Sequence, residues 1–521
     1  MSQPTLVDVA TTATDRPPVL DDRWLLGHPR GLGLLFAAEM WERFSFYGMR
    51  ALLVLYLVNY LKWDTPRATS LYGTYNMLVY LMPLIGGYLA DRFIGTRRSL
   101  VIGAIIISLG HFTLAMPGMT TFYIGLGLII IGTGFFKPNV STMVGQIYRE
   151  GDTRRDAGFT IFYMGINLGA FLGPIICGYL AQTPGYGWHW GFAAAGVGMV
   201  LGLIVYLALR DKYLPGIGLA PEQRAGAQSA AERAAAAEEK GNPAHAIGGA
   251  IVGGVLAWLL GGGGILAPFV GAVVGAAIGL TVLGTRGEER RRVIALFVVF
   301  FFVVFFWAAY EQAGSSMSLF ADKFTNLQLG SLRLRSSWFQ SVNPAVILIF
   351  APVFAWLWVK LGERGREPST PMKMVLGLTF LGLGFVVLMI GGSHADAGAK
   401  VSPLWLVGAF TFHTWGELCL SPVGLSYVTK VAPWRFASML MGAWFMALAV
   451  AEKLAGWLAG FTPTPGEAPA HAARGIGGYL QHVSATNHGF FSIFFVSSIV
   501  AALVMLLFVP LLKRLTAAVR A

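Results

Sequence analysis

The sequence predicts an all-α polytopic membrane protein, and three observations carry that expectation. Only 12% of the 521 residues are charged and 55% are hydrophobic, with a mean hydropathy of +0.63, against about 25% charged in an ordinary soluble domain. The apolar runs are long and unbroken, as in "VIALFVVFFFVVFFWAAY", where a membrane β-barrel would alternate apolar and polar residues in short segments. Lysines and arginines gather in short loops between these runs, so the net charge of +12 reads as an orientation signal and no nucleic-acid partner is expected.

Taken in order, the apolar segments place spans at 31–61, 69–91, 98–118, 121–148, 156–182 and 190–210, and again at 293–321, 336–361, 371–392, 403–430, 435–460 and 488–513. The chain thus divides into a tail (1–30), a six-helix bundle (31–211), a linker region (212–292), a second six-helix bundle (293–516) and a short tail (517–521). Loops such as "DRFIGTRR", "YREGDTRRD", "KLGERGREPSTPMK" and "TKVAPWR" are rich in Lys and Arg, which assigns them and both termini to the cytoplasm. The basic loop "ADKFTNLQLGSLRLR" falls on the other side and dissents. The linker region opens with a polar, Ala-rich stretch and continues with an apolar one broken at Gly261 to Gly264. That second stretch has room for a hairpin of two further spans with close helix contact through small residues, for about fourteen spans in all.

Cys177 and Cys419 lie in apolar segments far apart, which reads as two buried hydrophobes and not as a disulfide or metal site. The first thirty residues carry Asp8, Asp15, Asp21 and Asp22 without an apolar core, so no cleavable signal peptide is expected. "GGYLADRFIGTRR" and "WLWVKLGERGREPST" occupy equivalent places in the two sets of spans. Parallel repeats would produce such an echo, as would independent selection for basic loops. The first of these turns also resembles the loop signature of the major facilitator superfamily, which implies two six-helix bundles around a central cavity, with Asp91 and its arginines serving helix packing and gating.

Ionisable residues inside a span face the bundle interior or a water-filled path. At 1.5 Å per residue, Glu39, Glu42 and Arg43 lie roughly 12 to 18 Å along the first span, and Arg50 about 29 Å along it. Glu311 falls about 27 Å along its own span, level with Arg50, which makes the two natural partners in an outer gate. Lys137 and Glu417 lie about 24 and 21 Å down their spans, near the midplane and level with the Glu39 cluster. On one helix Glu39 and Arg43 share a face while the adjacent Glu42 diverges, leaving Glu42 to point elsewhere, with Lys137 as a candidate partner. A carboxylate held in low dielectric beside a movable cation can change its protonation as that cation moves, which suits a proton-coupled carrier. A static salt-bridge network holding the helices is the other reading, though buried pairs are a poor route to stability.

Several motifs add a resemblance. "EMWERFSFYG" resembles the ExxERFxYYG signature of proton-dependent oligopeptide transporters, "FYMGINLGAFLGP" their FYxxINxGSLxxP motif, and "GELCLSPVGLSYVTKVAP", "YEQAGSSM" and "WFQSVNPAVI" their later helical segments. Bacterial members also carry an extra helix pair between the bundles. The resemblance implies import of di- and tripeptides with protons across the bacterial cytoplasmic membrane by alternating access, with no enzyme activity, no cofactor beyond the coupling proton, and a functional monomer in the lipid bilayer. Glu39, Glu42, Arg43, Lys137 and Glu417 would couple the proton. Arg43 and Lys137 would attract the peptide carboxylate, while Glu417, Asn167 and Asn343 would hold the amino terminus. Tyr47, Tyr80, Trp307, Trp444 and Phe445 would line side-chain pockets, with core packing as the alternative for each. Phe46 and Ala170 depart from the tyrosine and serine of the motifs, which bears on substrate preference. His111 and His413 read as packed histidines. Pro138, Pro174, Pro344 and Pro422 mark hinges or simple packing kinks. Neither an HExxH nor a GxSxG motif is present to support an enzyme.

Overall fold

The computed structural model describes residues 24–149, 151–219, 243–260, 266–433, 436–464 and 475–517. Most of the expected N-terminal tail, the polar part of the linker, the four-glycine break and the last four residues lie outside the described residues. The first half is built from α1 (Arg30–Leu55), α2 (Thr65–Leu89), α3 (Thr96–Leu114), α4 (Met119–Gln146), α5 (Arg155–Gln182) and α6 (Trp188–Tyr213). Then follow α7 (Pro243–Leu260) and α8 (Leu266–Ile278). The second half contains α9 (Gly287–Tyr310), α10 (Ser316–Phe324), α11 (Val342–Glu363), α12 (Thr370–Asp396), α13 (Leu404–Val431), α14 (Ala437–Ala459), α15 (Ile476–Val483) and α16 (Asn487–Ala517).

Ten of the described helical segments are long and apolar enough to cross a membrane. Helix α1, which carries Arg30, Glu39, Glu42, Arg43 and Arg50, is not among them, yet with its wide final turn at Tyr56–Tyr60 it is long enough to span, as is the 28-residue α13; about 20 residues suffice. With the shorter apolar pair α7 and α8 this is the expected two-bundle architecture with an inserted hairpin. In that hairpin, Gly249 and Gly253 face Gly275 and Gly271 so closely that a Cβ on Gly249 would stand 2.1 Å from the Gly275 carbonyl oxygen.

Local chemistry fixes the ends. Asp64 caps α2 by accepting the Arg67 backbone N–H at 2.8 Å, with Pro66 in the first turn. Gly95, at φ +84°, turns the chain between α2 and α3. Here the structure adjusts one expectation: Asp91 is exposed, and the loop is tied by Arg97, which pairs with Asp211 of α6 and donates its backbone N–H to the Gly218 carbonyl.

The expected span 293–321 is broken. Helix α9 ends at Tyr310, a tight turn runs from Glu311 to Gly314, and α10 restarts at Ser316. A Cβ on Gly314 would stand 1.7 Å from the Tyr72 hydroxyl oxygen, so the turn leaves room for the tyrosine of α2.

Within the first half α1 packs on α5 and α6, and α3 on α4; within the second, α12 packs on α13 and α16, and α9 on α14. Between the halves, α2 lies against α14, and α5 against α11 and the turn at Ser336–Ser341. The hydrogen bonds joining the halves gather on the side that loop charge assigns to the exterior. Asn59 donates to Asp322 and Arg335 to Thr183. Gln182 donates to the Ser336 hydroxyl and accepts from that of Ser337. The Trp338 indole donates to the Ile175 carbonyl and the Ser341 hydroxyl to that of Phe171. This stitching accounts for the dissenting basic loop, whose arginine holds the opposite half and whose tip is a small antiparallel hairpin, β1 (Gln328–Leu329) and β2 (Leu332–Arg333). A cleft of about 340 Å³ opens along that seam, lined by Gln182, Asp322 and Arg335 among others, away from the charged residues of the spans.

Candidate transport site

Helix α1 supplies the first wall. Arg43 turns its Nε to two acids, Glu39 at 3.1 Å and Glu42, and all three side chains are buried. The expected divergence of Glu42 toward Lys137 is thus overturned: adjacent Cβ atoms diverge on a helix, but the long Arg and Glu side chains curl back to meet in an interior that leaves charges no water to turn to. The network is unfinished. Among the described residues Arg43 Nη2, Glu39 Oε2 and Glu42 Oε1 have no hydrogen-bond partner. The guanidinium stands 5.2 Å from the ring centre of Phe46, so the position that departs from the motif packs under the cation.

Lys137, on α4 just before Pro138, makes no ion pair among the described residues; its Nζ sits 4.5 Å from the ring centre of Tyr80, a cation–π contact. The charges of Arg43, Glu42, Glu39 and Glu452 all reach it. The expected Lys137–Glu417 pair is not formed in this structure. Glu417, on α13, is held within its own half: its Oε2 accepts from the Tyr310 hydroxyl at 2.5 Å and from Asn343 Nδ2 at 2.9 Å, and Asn343 also reaches Thr414 Oγ1 at 2.9 Å. Both of these contacts to Glu417 fall on the same carboxylate oxygen, Oε2. Trp307 packs edge-on against Tyr310, with ring centres 5.0 Å apart, and its indole N–H is unpartnered.

The remaining candidates divide. Tyr47 is half-buried between the halves, within reach of the charges of Arg43, Arg50, Glu311 and Glu417. Asn167 is buried on α5, and its Nδ2 donates to the Tyr163 carbonyl at 2.9 Å, so its amide is turned back along its own helix. Trp444 is 5% exposed and packs on Phe300 inside the second half's core, the packing role that was the alternative to a pocket wall; Phe445, beside it, is half-buried against the same core. His111 and His413 are buried and packed, the latter against Phe385 with ring centres 4.5 Å apart.

Toward the exterior, Arg50 and Glu311 form the expected ion pair, and Arg50 Nε donates to the Tyr72 hydroxyl at 2.8 Å. Sequence reasoning missed Tyr72, Tyr310 and Glu452. The two tyrosines carried no signal beyond their neighbours in the motifs, but Glu452, an acid inside the apolar run "MALAVAEKLAGWLAG", was visible by the same standard as Glu311. The arrangement is a column of charges at the interface of two bundles, with cations on one wall, an acid in an amide and hydroxyl cradle on the other, and an ion pair above.

Comparison with known proteins agrees with this geometry. The family model described as POT family matches residues 97–222 and 269–475. The chain is 36% identical to the peptide transporter YePEPT of Yersinia enterocolitica, covering 86% of this chain and 90% of that one. It is 35% identical to a di-/tripeptide transporter of Lactococcus lactis subsp. cremoris, covering 83% and 89%. A 44% identical relative from Bacillus subtilis, covering 83% and 88%, is an uncharacterized transporter named YclF. Among solved structures, the peptide transporter POT in complex with sulfate superposes with a TM-score of 0.76 at 39% identity, covering 95% of this chain and 98% of that one. A POT family transporter in complex with 5-aminolevulinic acid gives 0.75 at 31% identity, covering 94% and 98%. Two bundles, an inserted hairpin, an interfacial column of charges and relatives that match along most of their length lead to one conclusion: the chain belongs to the POT family.

Proposed function

We propose that this multi-pass membrane protein is a symporter that imports di- and tripeptides with protons across the bacterial cytoplasmic membrane, working as a monomer with both termini in the cytoplasm. The observation that carries the reading is the split of charge across the interface. Arg43 and Lys137 stand on one half, and Glu417, whose contacts to Tyr310 and Asn343 both fall on one oxygen, stands on the other. A zwitterion has the matching ends. Its carboxylate is drawn to the two cations, Lys137 making no ion pair among the described residues and resting on the Tyr80 ring; its amino group is drawn to Glu417. Bridging the halves in this way, the peptide supplies attraction between two bodies whose hydrogen bonds to one another, among the described residues, gather on the outer side. The inward-facing form is the natural reading of a structure whose halves are stitched outside, with Arg50 and Glu311 paired there.

The acids around Arg43 account for coupling. Glu39 and Glu42 compete for one guanidinium, so protonation of one carboxylate releases Arg43 for the peptide, and departure of the peptide returns Arg43 to the acid and expels the proton. Related proteins support the cargo class: two relatives are named for peptides, and the structure with 5-aminolevulinic acid holds a small molecule with the same two ends.

In proteoliposomes, an inward-directed proton gradient should accumulate a labelled dipeptide, and the free dipeptide should compete at least tenfold better than its C-terminal amide, since one charge-assisted contact is worth about 1.5 to 3 kcal/mol. Equal competition by the amide would remove the proposed role of Arg43 and Lys137, and absence of gradient-driven accumulation would remove proton coupling.

A further inference from the structure

Glu452, on α14, is 2% exposed, and its Oε2 has no hydrogen-bond donor among the described residues. The charges of Glu311, Arg50 and Lys137 reach it, and the two segments touch here, since Gln312, next to Glu311, donates to the carbonyl of Ala455, one helical turn from Glu452, at 3.1 Å. The neighbouring Lys453 does not neutralise it: that Nζ turns to Thr74 Oγ1 at 2.7 Å and Ser70 Oγ at 3.3 Å. The groups facing Glu452 are Arg50 on α1, Tyr72 and Tyr80 on α2, Lys137 on α4 and Glu311. Helix α2 presses on α14 at this point, since a Cβ on Gly73 would stand 2.8 Å from the Glu452 carbonyl oxygen.

Arg50 is already engaged by Glu311 and Tyr72, and Lys137 by the Tyr80 ring. Along the interface the acids Glu39, Glu42, Glu311, Glu417 and Glu452 outnumber the cations Arg43, Arg50 and Lys137. Two ionised carboxylates in contact inside a dry seam repel each other, and neither can donate to the other. A proton on one of them turns the repulsion into a short charge-assisted hydrogen bond.

We infer that Glu452 is a proton-binding site of the outer gate: in the closed gate its carboxyl carries a proton and donates it to the Glu311 carboxylate, which stays negative for Arg50. Closing the gate takes one proton from outer water onto the Glu452 carboxylate. Opening parts Arg50 from Glu311, admits water to the seam and returns that proton to it; only the O–H bond of Glu452 is made and broken. The inference rests on the proposed reading that Arg50 and Glu311 part during each cycle.

The test places spin labels at Met116→Cys and Ala399→Cys, on exposed outer loops of opposite halves, in nanodiscs; Cys177 and Cys419 are buried and do not label. Across about pH 5 to 9, a range that spans perturbed carboxyl groups, the closed-gate distance population of the parent should fall as pH rises. Glu452→Gln, whose amide donates to Glu311 at every pH, should stay closed throughout, and Glu452→Asp should restore the fall. A Glu452→Gln profile that tracks the parent, or a parent that does not respond to pH, overturns the inference. Gradient-driven peptide uptake by the unlabelled parent is read separately, so failure of the symport reading and failure of this one are distinguishable.

Discussion

Arg43 carries two acids where one was expected, and that surplus is what makes the residue switchable. With Glu39 at 3.1 Å and Glu42 also on Nε, loss of either charge loosens the guanidinium enough for the peptide to compete for it, while the other acid keeps it from standing unpaired. Glu42→Gln should therefore fold and exchange peptide across liposomes at equal pH, yet fail to concentrate it against a gradient; continued accumulation would show that Glu42 is not the coupling acid. Trp444 makes the opposite case. Its ring lies in the core against Phe300, so Trp444→Ala should lower stability by about 3 to 5 kcal/mol, read as a fall in thermal midpoint, with KM for dipeptide unchanged. A raised KM at unchanged midpoint would return Trp444 to the pocket wall. The i,i+4 pair of Glu39 and Arg43 was legible because helix geometry fixes which Cβ atoms share a face. The Glu42 contact was not, because it depends on side-chain torsions that spacing does not set.

At the scale of elements, most spans were legible with ends off by up to about four residues, and the seventh less closely, expected from 293 but starting at Gly287, since a bilayer demands unbroken apolar length. The break at Glu311–Gly314 was not: its one local signal is the Gly314–Ser315 pair, and the tyrosine it accommodates, Tyr72, comes from another helix. The seam of α2 on α14 has the same character. A Cβ on Gly456 would stand 2.7 Å from the Gly73 Cα, so Gly456→Leu should wedge the halves apart on the outer side. The expected result is faster labelling of a cysteine introduced at Tyr72 and loss of uptake; unchanged labelling would mean that the seam does not govern closure. The turn between α4 and α5 sets a contrast. There Asp152 accepts from Arg154 by side chain and backbone, which brings its carboxyl down to about 2, while Arg154 Nη1 donates to the Gly27 carbonyl at 2.7 Å. A depressed carboxyl favours the folded turn at all pH above its unfolded value and gives up that advantage only as pH falls toward 2. The pH profile of uptake between about pH 5 and 8 should thus be unchanged in Asp152→Asn, and a shifted midpoint would tie this turn to coupling.

For the whole molecule, two bundles meet along a line of charges that the sequence revealed by depth, and they are joined on one side by contacts that it concealed. Those joins are neutral for the most part: Trp338 to the Ile175 carbonyl, Ser341 to that of Phe171, Gln182 to Ser336 and Ser337. Ionic strength screens exposed charge over about 8 Å at 0.15 M and leaves uncharged hydrogen bonds nearly untouched. A clasp fastened mostly by amides, indoles and hydroxyls, with the buried Arg50 guanidinium as its trigger, answers to acidity while remaining nearly deaf to salinity, a useful division of labour for a cell whose surroundings vary in both.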